Sequence, residues 1–240
     1  MEVTLLGRKF IIRPEALDTD GKNWDEKILS EVINGDCYQL RNFKDSNPNA
    51  KLFIDIGANI GAFSVFVKSL WPDANVICAE PLNNNFDLLA INTAGLSSVS
   101  LVNKAIIGTK EREVGFNAPT LISRVRRGFY NSGDGFVNRN VHTKVMSCQI
   151  SELIDIYNKI DFMKIDCEGS EGEIIESIAG TDEIKKIKYI NGEWHGDAMA
   201  NRLEKALKET HEFKVTKCIF ADLGTFEAKR IEDAKSSSVS

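Results

Sequence analysis

Residues 51–61, KLFIDIGANIG, limit what this chain can fold into more than any other stretch. Leu52, Phe53, Ile54 and Ile56 form an apolar run suited to a strand buried on both faces, as in a parallel sheet. Asp55 and the glycine loop at 57–61 close that strand, and 62–70 reads as a helix. A strand, a tight glycine turn and a helix N-terminus together aim backbone N–H groups and a positive dipole end at a ligand. That is the geometry of a nucleotide-type cofactor pocket.

The other residues of the turn discriminate between cofactors. A dinucleotide fingerprint asks for G-x-G-x-x-G, whose second glycine lets the backbone approach a pyrophosphate. Here Gly57 fills the first position, Asn59 the second and Ala62 the third, with Gly61 just before it. Asn59 puts a side chain where a pyrophosphate would come close, and Asp55 puts a negative charge beside it. A cationic ligand without phosphate reverses both objections. S-adenosylmethionine fits, with its sulfonium, ammonium, carboxylate and ribose.

From residue 51 onward strands alternate with helical segments, the pattern of an α/β fold with a doubly wound, mostly parallel sheet. Strands are expected at 75–79, 99–107, 160–165 and 187–193, and a closing hairpin at 213–220 with 225–231. Helices are expected at 86–94, around 174–178, and from a cap at Asp197 through 207. Residues 1–50 hold a strand at 8–13 and a helix at 26–33, too little for a separate core, and read as a cap over the cofactor turn. The main domain then spans 51–233, with a frayed tail at 234–240. The long excursion 108–150 pairs 113–116 with 144–148, and its middle gathers Arg124, Arg126, Arg127 and Arg139. Two readings of that middle stand side by side: a lid whose arginines meet an anionic or sugar-like substrate, or a solvated loop.

A net charge of -5 argues against nucleic acid as a partner, since phosphate binding shows as a basic excess. The five cysteines are scattered without a C-x-x-C pair, which implies a reducing compartment. The first residues lack a secretory h-region, and no apolar run approaches the ~20 residues of a membrane span. The expectation is a soluble, cytoplasmic protein.

Chemistry-bearing residues fall at the strand ends, where open α/β sheets bind their ligands. Glu80 closes the second strand, and its carboxylate can accept from both ribose hydroxyls. Asn103 and Ala105 stand where an adenine edge would be read, although an Asn there is also a common turn former. Asp166 and Glu168 follow the fourth strand and should face the same crevice as Asp55 and Glu80. Four carboxylates there repel unless a cation offsets them; the cofactor's sulfonium and ammonium would do so, as could a divalent metal. Glu171 and Glu173 read as stabilising the N-terminal turn of the next helix. Glu193 and His195 project to one side of the fifth strand and are candidates, with Glu168, for taking a proton from a substrate hydroxyl.

The combination FIDIGANIGAFS (53–64), AEP (79–81), VNKAI (102–106), KIDCEGSE (164–171) and NGEWH (191–195) resembles the FkbM family of S-adenosylmethionine-dependent methyltransferases. The resemblance runs over about 51–231, and TKVMSCQISELI (143–154) is similar to that family's extra strand. The D-x-E-G-x-E run is its specific part; one departure is Ile150-Ser151, where the family usually has Leu-Asp. The resemblance implies a seven-stranded sheet with its last strand antiparallel, and methyl transfer to a hydroxyl oxygen of a sugar, glycan, glycolipid or natural product. It also implies that Asp55, Gly57, Asn59, Gly61, Glu80 and Asp166 hold the cofactor. An NAD-dependent oxidoreductase and a non-catalytic binding module are the competing readings. Metal dependence through Asp166, Glu168 and His195 is a variant of the enzyme reading.

Overall fold

The apolar residues Leu52, Phe53, Ile54 and Ile56 form an interior strand with every residue buried, the single charge of Asp55 included. The computed structural model describes residues 1–17, 20–116, 143–217 and 223–231. A hairpin of β1 (Glu2–Leu5) and β2 (Arg8–Ile11) opens the chain, followed by α1 (Trp24–Ile33) and α2 (Leu40–Ser46). Alternation then sets in with β3 (Leu52–Ile56), α3 (Ala62–Leu70), β4 (Asn75–Ala79), α4 (Asn83–Thr93) and β5 (Val99–Val102). Next come β6 (Ala105–Ile107), β7 (Glu113–Phe116), β8 (Thr143–Gln149) and α5 (Ile150–Ile154). The remainder holds β9 (Phe162–Ile165), α6 (Glu171–Ile178), α7 (Asp182–Lys186), β10 (Tyr189–His195), α8 (Asp197–Leu207), β11 (His211–Lys217) and β12 (Leu223–Arg230).

Seven strands form the central sheet in the order β11-β12-β10-β9-β3-β4-β5. Neighbours from β10 to β5 are parallel, while β12 runs antiparallel to both β10 and β11. The strand order turns back between β3 and β9, which puts a ligand crevice outside their carboxyl ends. Side chains alternate across β3: Ile54 and Ile56 pack on one face with Met163, Ile174 and Trp194, and Phe53 packs on the other. That second face is covered by α3 and by the first fifty residues, through Phe10, Leu29, Ile33, Leu40 and Phe43. The Phe43 ring lies edge-on to Phe162 at 5.0 Å, so the N-terminal segment and the sheet share one core.

Two expectations need correction. The run 99–107 is not one strand: β5 stays in the main sheet, and β6 leaves it to pair in parallel with β8 in a three-stranded sheet. Asn103 sits at the break and donates to the carbonyls of Glu80 (2.9 Å) and Pro81, holding the turn; apolar residues on both sides hid it. At α8 the cap position is Gly196 rather than Asp197, whose carboxylate instead meets Lys217 at 3.0 Å. The hairpin of 113–116 with 144–148 forms as β7 and β8. The arginine-rich middle of that excursion and the tail at 234–240 lie outside the described residues.

Asp161 anchors the start of the crevice-forming strands. It is 6% exposed and accepts from the backbone N–H groups of Lys51 (2.7 Å) and Leu52 (3.2 Å), with Lys159 Nζ at 2.6 Å from its other oxygen. Burial opposes its charge, but Lys159 and the two N–H groups prevail and hold the carboxyl below its ordinary value. A depressed value contributes stability above the unfolded-chain value of about 3.9, lost as pH falls through the folded value. Asp161→Ala is therefore expected to cost about 2 kcal/mol at neutral pH by urea unfolding, and the difference from wild type should shrink in acid.

Candidate active site

The glycine turn after β3 sits where the sheet order reverses. Gly57 has φ +78°, and a Cβ built on it would lie 1.9 Å from the backbone oxygen of Asp166, so no other residue fits without moving β9. Asn59 adopts φ +49°, a conformation Asn tolerates better than most residues, and Gly61 has φ +95°. The Asn59 N–H donates to Glu80 Oε2 at 2.9 Å. Glu80 Oε1 accepts from the Leu82 N–H (3.0 Å) and Asn85 Nδ2 (3.2 Å). Burial raises the Glu80 carboxyl above its ordinary value against the pull of these donors. A carboxylate oxygen has two acceptor sites. Oε2 receives the single Asn59 donor and so retains capacity for a ligand hydroxyl.

Asp55 does not face the crevice as an open charge. It is fully buried, accepts from Ser64 Oγ at 2.6 Å and lies 3.3 Å from Lys164 Nζ. Lys164 stands opposite Asp55 in the β3–β9 register. Its ammonium donates to the Gly57 carbonyl at 2.7 Å and lies 3.8 Å from Asp166 Oδ2. Burial pulls this ammonium down, but Asp55 and Asp166 overcome that and raise it. Lys164 thus supplies the positive charge that sequence reasoning asked of a bound cofactor. The signal was a lysine inside the apolar run 160–165, where a charge is kept only with partners. Asp166 also accepts from the Tyr38 hydroxyl at 2.8 Å.

The loop after β9 turns through left-handed conformations at Glu168 (φ +62°) and Gly169 (φ +112°). Glu171, fully buried, accepts from the N–H groups of Cys167 (2.9 Å) and Gly169 (3.1 Å), so it ties this loop rather than merely serving the first turn of α6. Glu173 likewise reaches away from its helix, to the Gly108 N–H at 3.1 Å. At the end of β10, His195 Nε2 lies 3.6 Å from Glu193 Oε2, and Nδ1 lies 3.8 Å from Glu171 Oε1. Burial pushes the Glu193 carboxyl up, and Asp166 adds to this against His195. Burial works to lower His195, but Glu171, Glu168 and Glu193 outweigh it and raise the imidazole.

Of the residues singled out from sequence, Gly57, Asn59, Gly61, Glu80, Asp166, Glu168, Glu193 and His195 lie around the ends of β3, β4, β9 and β10. Ala105 is buried in β6, and the amide nitrogen of Asn103 is engaged by the chain itself. Among the described residues no three His, Cys, Asp or Glu side chains gather as a metal ion would require. No described helix is long and apolar enough to cross a membrane.

A seven-stranded sheet in this order, with one antiparallel strand and a glycine turn at the reversal, is the Rossmann-like fold of class I methyltransferases. Residues 55–214 match the methyltransferase FkbM domain, and the chain belongs to that family. Methyltransferase sdnD of Sordaria araneosa is 25% identical over 226 residues, 79% of this chain and 82% of that protein. Solved structures include a ribosomal protein L11 methylase from Lactobacillus delbrueckii subsp. bulgaricus at 12% identity, covering 88% of this chain and 81% of that one with TM-score 0.46. Another is the precorrin-6y C5,15-methyltransferase from Geobacter metallireducens, at 13% identity, 79% and 86% coverage and TM-score 0.45.

Removing one partner from a buried ion pair strands the others. Lys164→Met should lower stability by about 3–5 kcal/mol in urea unfolding. Lys159→Met, at a side chain 58% exposed, should cost less than about 1 kcal/mol.

Proposed function

We propose that this protein transfers the methyl group of S-adenosylmethionine to a hydroxyl oxygen of a sugar, glycan, glycolipid or natural product. Membership of a methyltransferase family supports the transfer itself. The observation that carries the oxygen acceptor is the Glu193–His195 pair at the end of β10, two groups with raised proton affinity on the carboxyl-end side of the sheet. When bound, the cofactor supplies a methyl carbon made electrophilic by its sulfonium.

The chain's own residues do the rest. The turn of Gly57, Asn59 and Gly61 presents backbone at close range, Glu80 accepts from ribose hydroxyls, and Asp166 lines the opposite wall. Asn103 and Ala105 mark the adenine side. Asp55 acts at one remove, by holding Lys164 and through it the Gly57 carbonyl. Glu193 or His195, with Glu168 nearby, takes the hydroxyl proton as the oxygen attacks. Most of the acceleration comes from holding that oxygen in line with the methyl group.

Calorimetry with adenosylhomocysteine tests the cofactor half. Wild type should bind, and Glu80→Ala should weaken binding about 10- to 100-fold, the worth of one charge-assisted hydrogen bond. Equal affinity would remove the ribose role. For the chemistry, methyl-labelled donor and a panel of monosaccharide, glycolipid and polyol acceptors should show transfer. His195→Ala and Glu193→Gln should slow it about 10²–10⁴-fold while leaving adenosylhomocysteine affinity nearly unchanged. Both groups must be unprotonated to act as base, and both hold their protons more tightly than usual. The rate should therefore climb with pH from neutral into the alkaline range, and a flat profile would sink the base assignment.

A further inference from the structure

The first fifty residues contribute more than apolar cover. Two polar connections run from them to the two carboxylates on either side of the glycine turn. In the first, the Tyr38 hydroxyl donates to Asp166 Oδ2 at 2.8 Å. Tyr38 is 4% exposed, its ring stands edge-on to Phe63 at 5.7 Å, and its carbonyl accepts from Asn191 Nδ2 at 3.3 Å. The turn carrying it is pinned by Asp36, whose carboxylate accepts from the N–H groups of Leu40 (2.7 Å) and Arg41 (3.0 Å).

In the second connection, Arg13 pairs with the fully buried Asp25 and donates from Nη1 to Asn85 Oδ1 at 2.6 Å. Asn85 passes the contact on, donating from Nδ2 to Glu80 Oε1 at 3.2 Å. Burying a charged pair is a poor way to gain stability, because desolvation offsets most of the attraction. Phe10, Leu29 and Phe43 already hold this segment down without it. What the polar links add is orientation: a carboxylate with fixed donors cannot rotate its oxygens away from a ligand.

We propose that the N-terminal segment is part of the cofactor site, with Tyr38 and Arg13 as positioning residues: Tyr38 orients Asp166, and Arg13 orients Glu80 through Asn85. This rests on the cofactor reading given above. It assigns a function to residues that precede the matched family region, which begins at 55.

Two variants of the full chain test it. Tyr38→Phe removes one hydroxyl and keeps the ring packing. Asn85→Ala cuts the second link while leaving the Arg13–Asp25 pair in place. Each should weaken adenosylhomocysteine binding at least about tenfold, with a melting temperature within a few degrees of wild type. In the ligand-free protein, Asn85→Ala should also speed hydrogen exchange of the Asn59 amide, whose bond to Glu80 depends on that carboxylate staying put. A variant that melts early yet binds at wild-type affinity when folded would show a merely structural role and overturn the proposal, as would unchanged affinity in both. Should wild type itself not bind adenosylhomocysteine, the cofactor reading fails. The exchange measurement then decides the positioning claim on the Glu80 side: faster Asn59 exchange upholds the Asn85–Glu80 bond through which Arg13 acts, and no change overturns it.

Discussion

One buried ammonium holds the site together. Lys164 lies between β3 and β9 with Asp55 at 3.3 Å, Asp166 at 3.8 Å and the Gly57 carbonyl at 2.7 Å. A charge in that position is tolerable only because every partner is present. The same set of contacts joins the end of β3, the glycine turn and the end of β9, the three pieces of backbone that form the crevice. The turn's close approach to β9, which excludes any Cβ at Gly57, is the steric counterpart of that electrostatic tie.

Around this centre the acidic residues divide into two kinds. Asp55, Glu171 and Glu173 are spent on the protein's own donors: Ser64 and Lys164, two loop N–H groups, and the Gly108 N–H. Glu80 and Asp166 have partners too, yet lie at strand ends beside the turn, where a ligand would meet them. Glu193 and His195 stand together at the rim: burial and Asp166 raise the Glu193 carboxyl against the pull of His195, while Glu171, Glu168 and Glu193 raise the imidazole against its burial. Counting carboxylates therefore overstated the repulsion a cofactor would have to relieve. The Asn59 side chain in the turn still disfavours a pyrophosphate, but the weight once carried by Asp55 passes to family membership.

Much of the fold was legible because periodicity and punctuation are local. The largely apolar 52–56 run and the NVICA strand at 75–79 formed where composition placed them, as did the closing hairpin over its described residues, where 213–217 pairs with 224–228. Legibility failed where continuity of apolar residues concealed a change of sheet, as between Val102 and Ala105. It failed again where a side chain reached far along the sequence: nothing local announces that Tyr38 meets Asp166 or that Arg13 meets Asn85. The direction of Glu171, backward to its own loop rather than along its helix, depends on left-handed backbone at Glu168 and Gly169.

By itself the sequence determined the class of fold, the strand ends at which chemistry collects, and the family, because these follow from residue types at short spacing. Only the tertiary structure decided which of the protein's own donors each of those residues meets. The reason is that a carboxylate's role is set by what is packed within hydrogen-bonding distance of it. For Asp55, Glu80 and Asp166 those neighbours arrive from Lys164, Asn85 and Tyr38, on other elements of the chain.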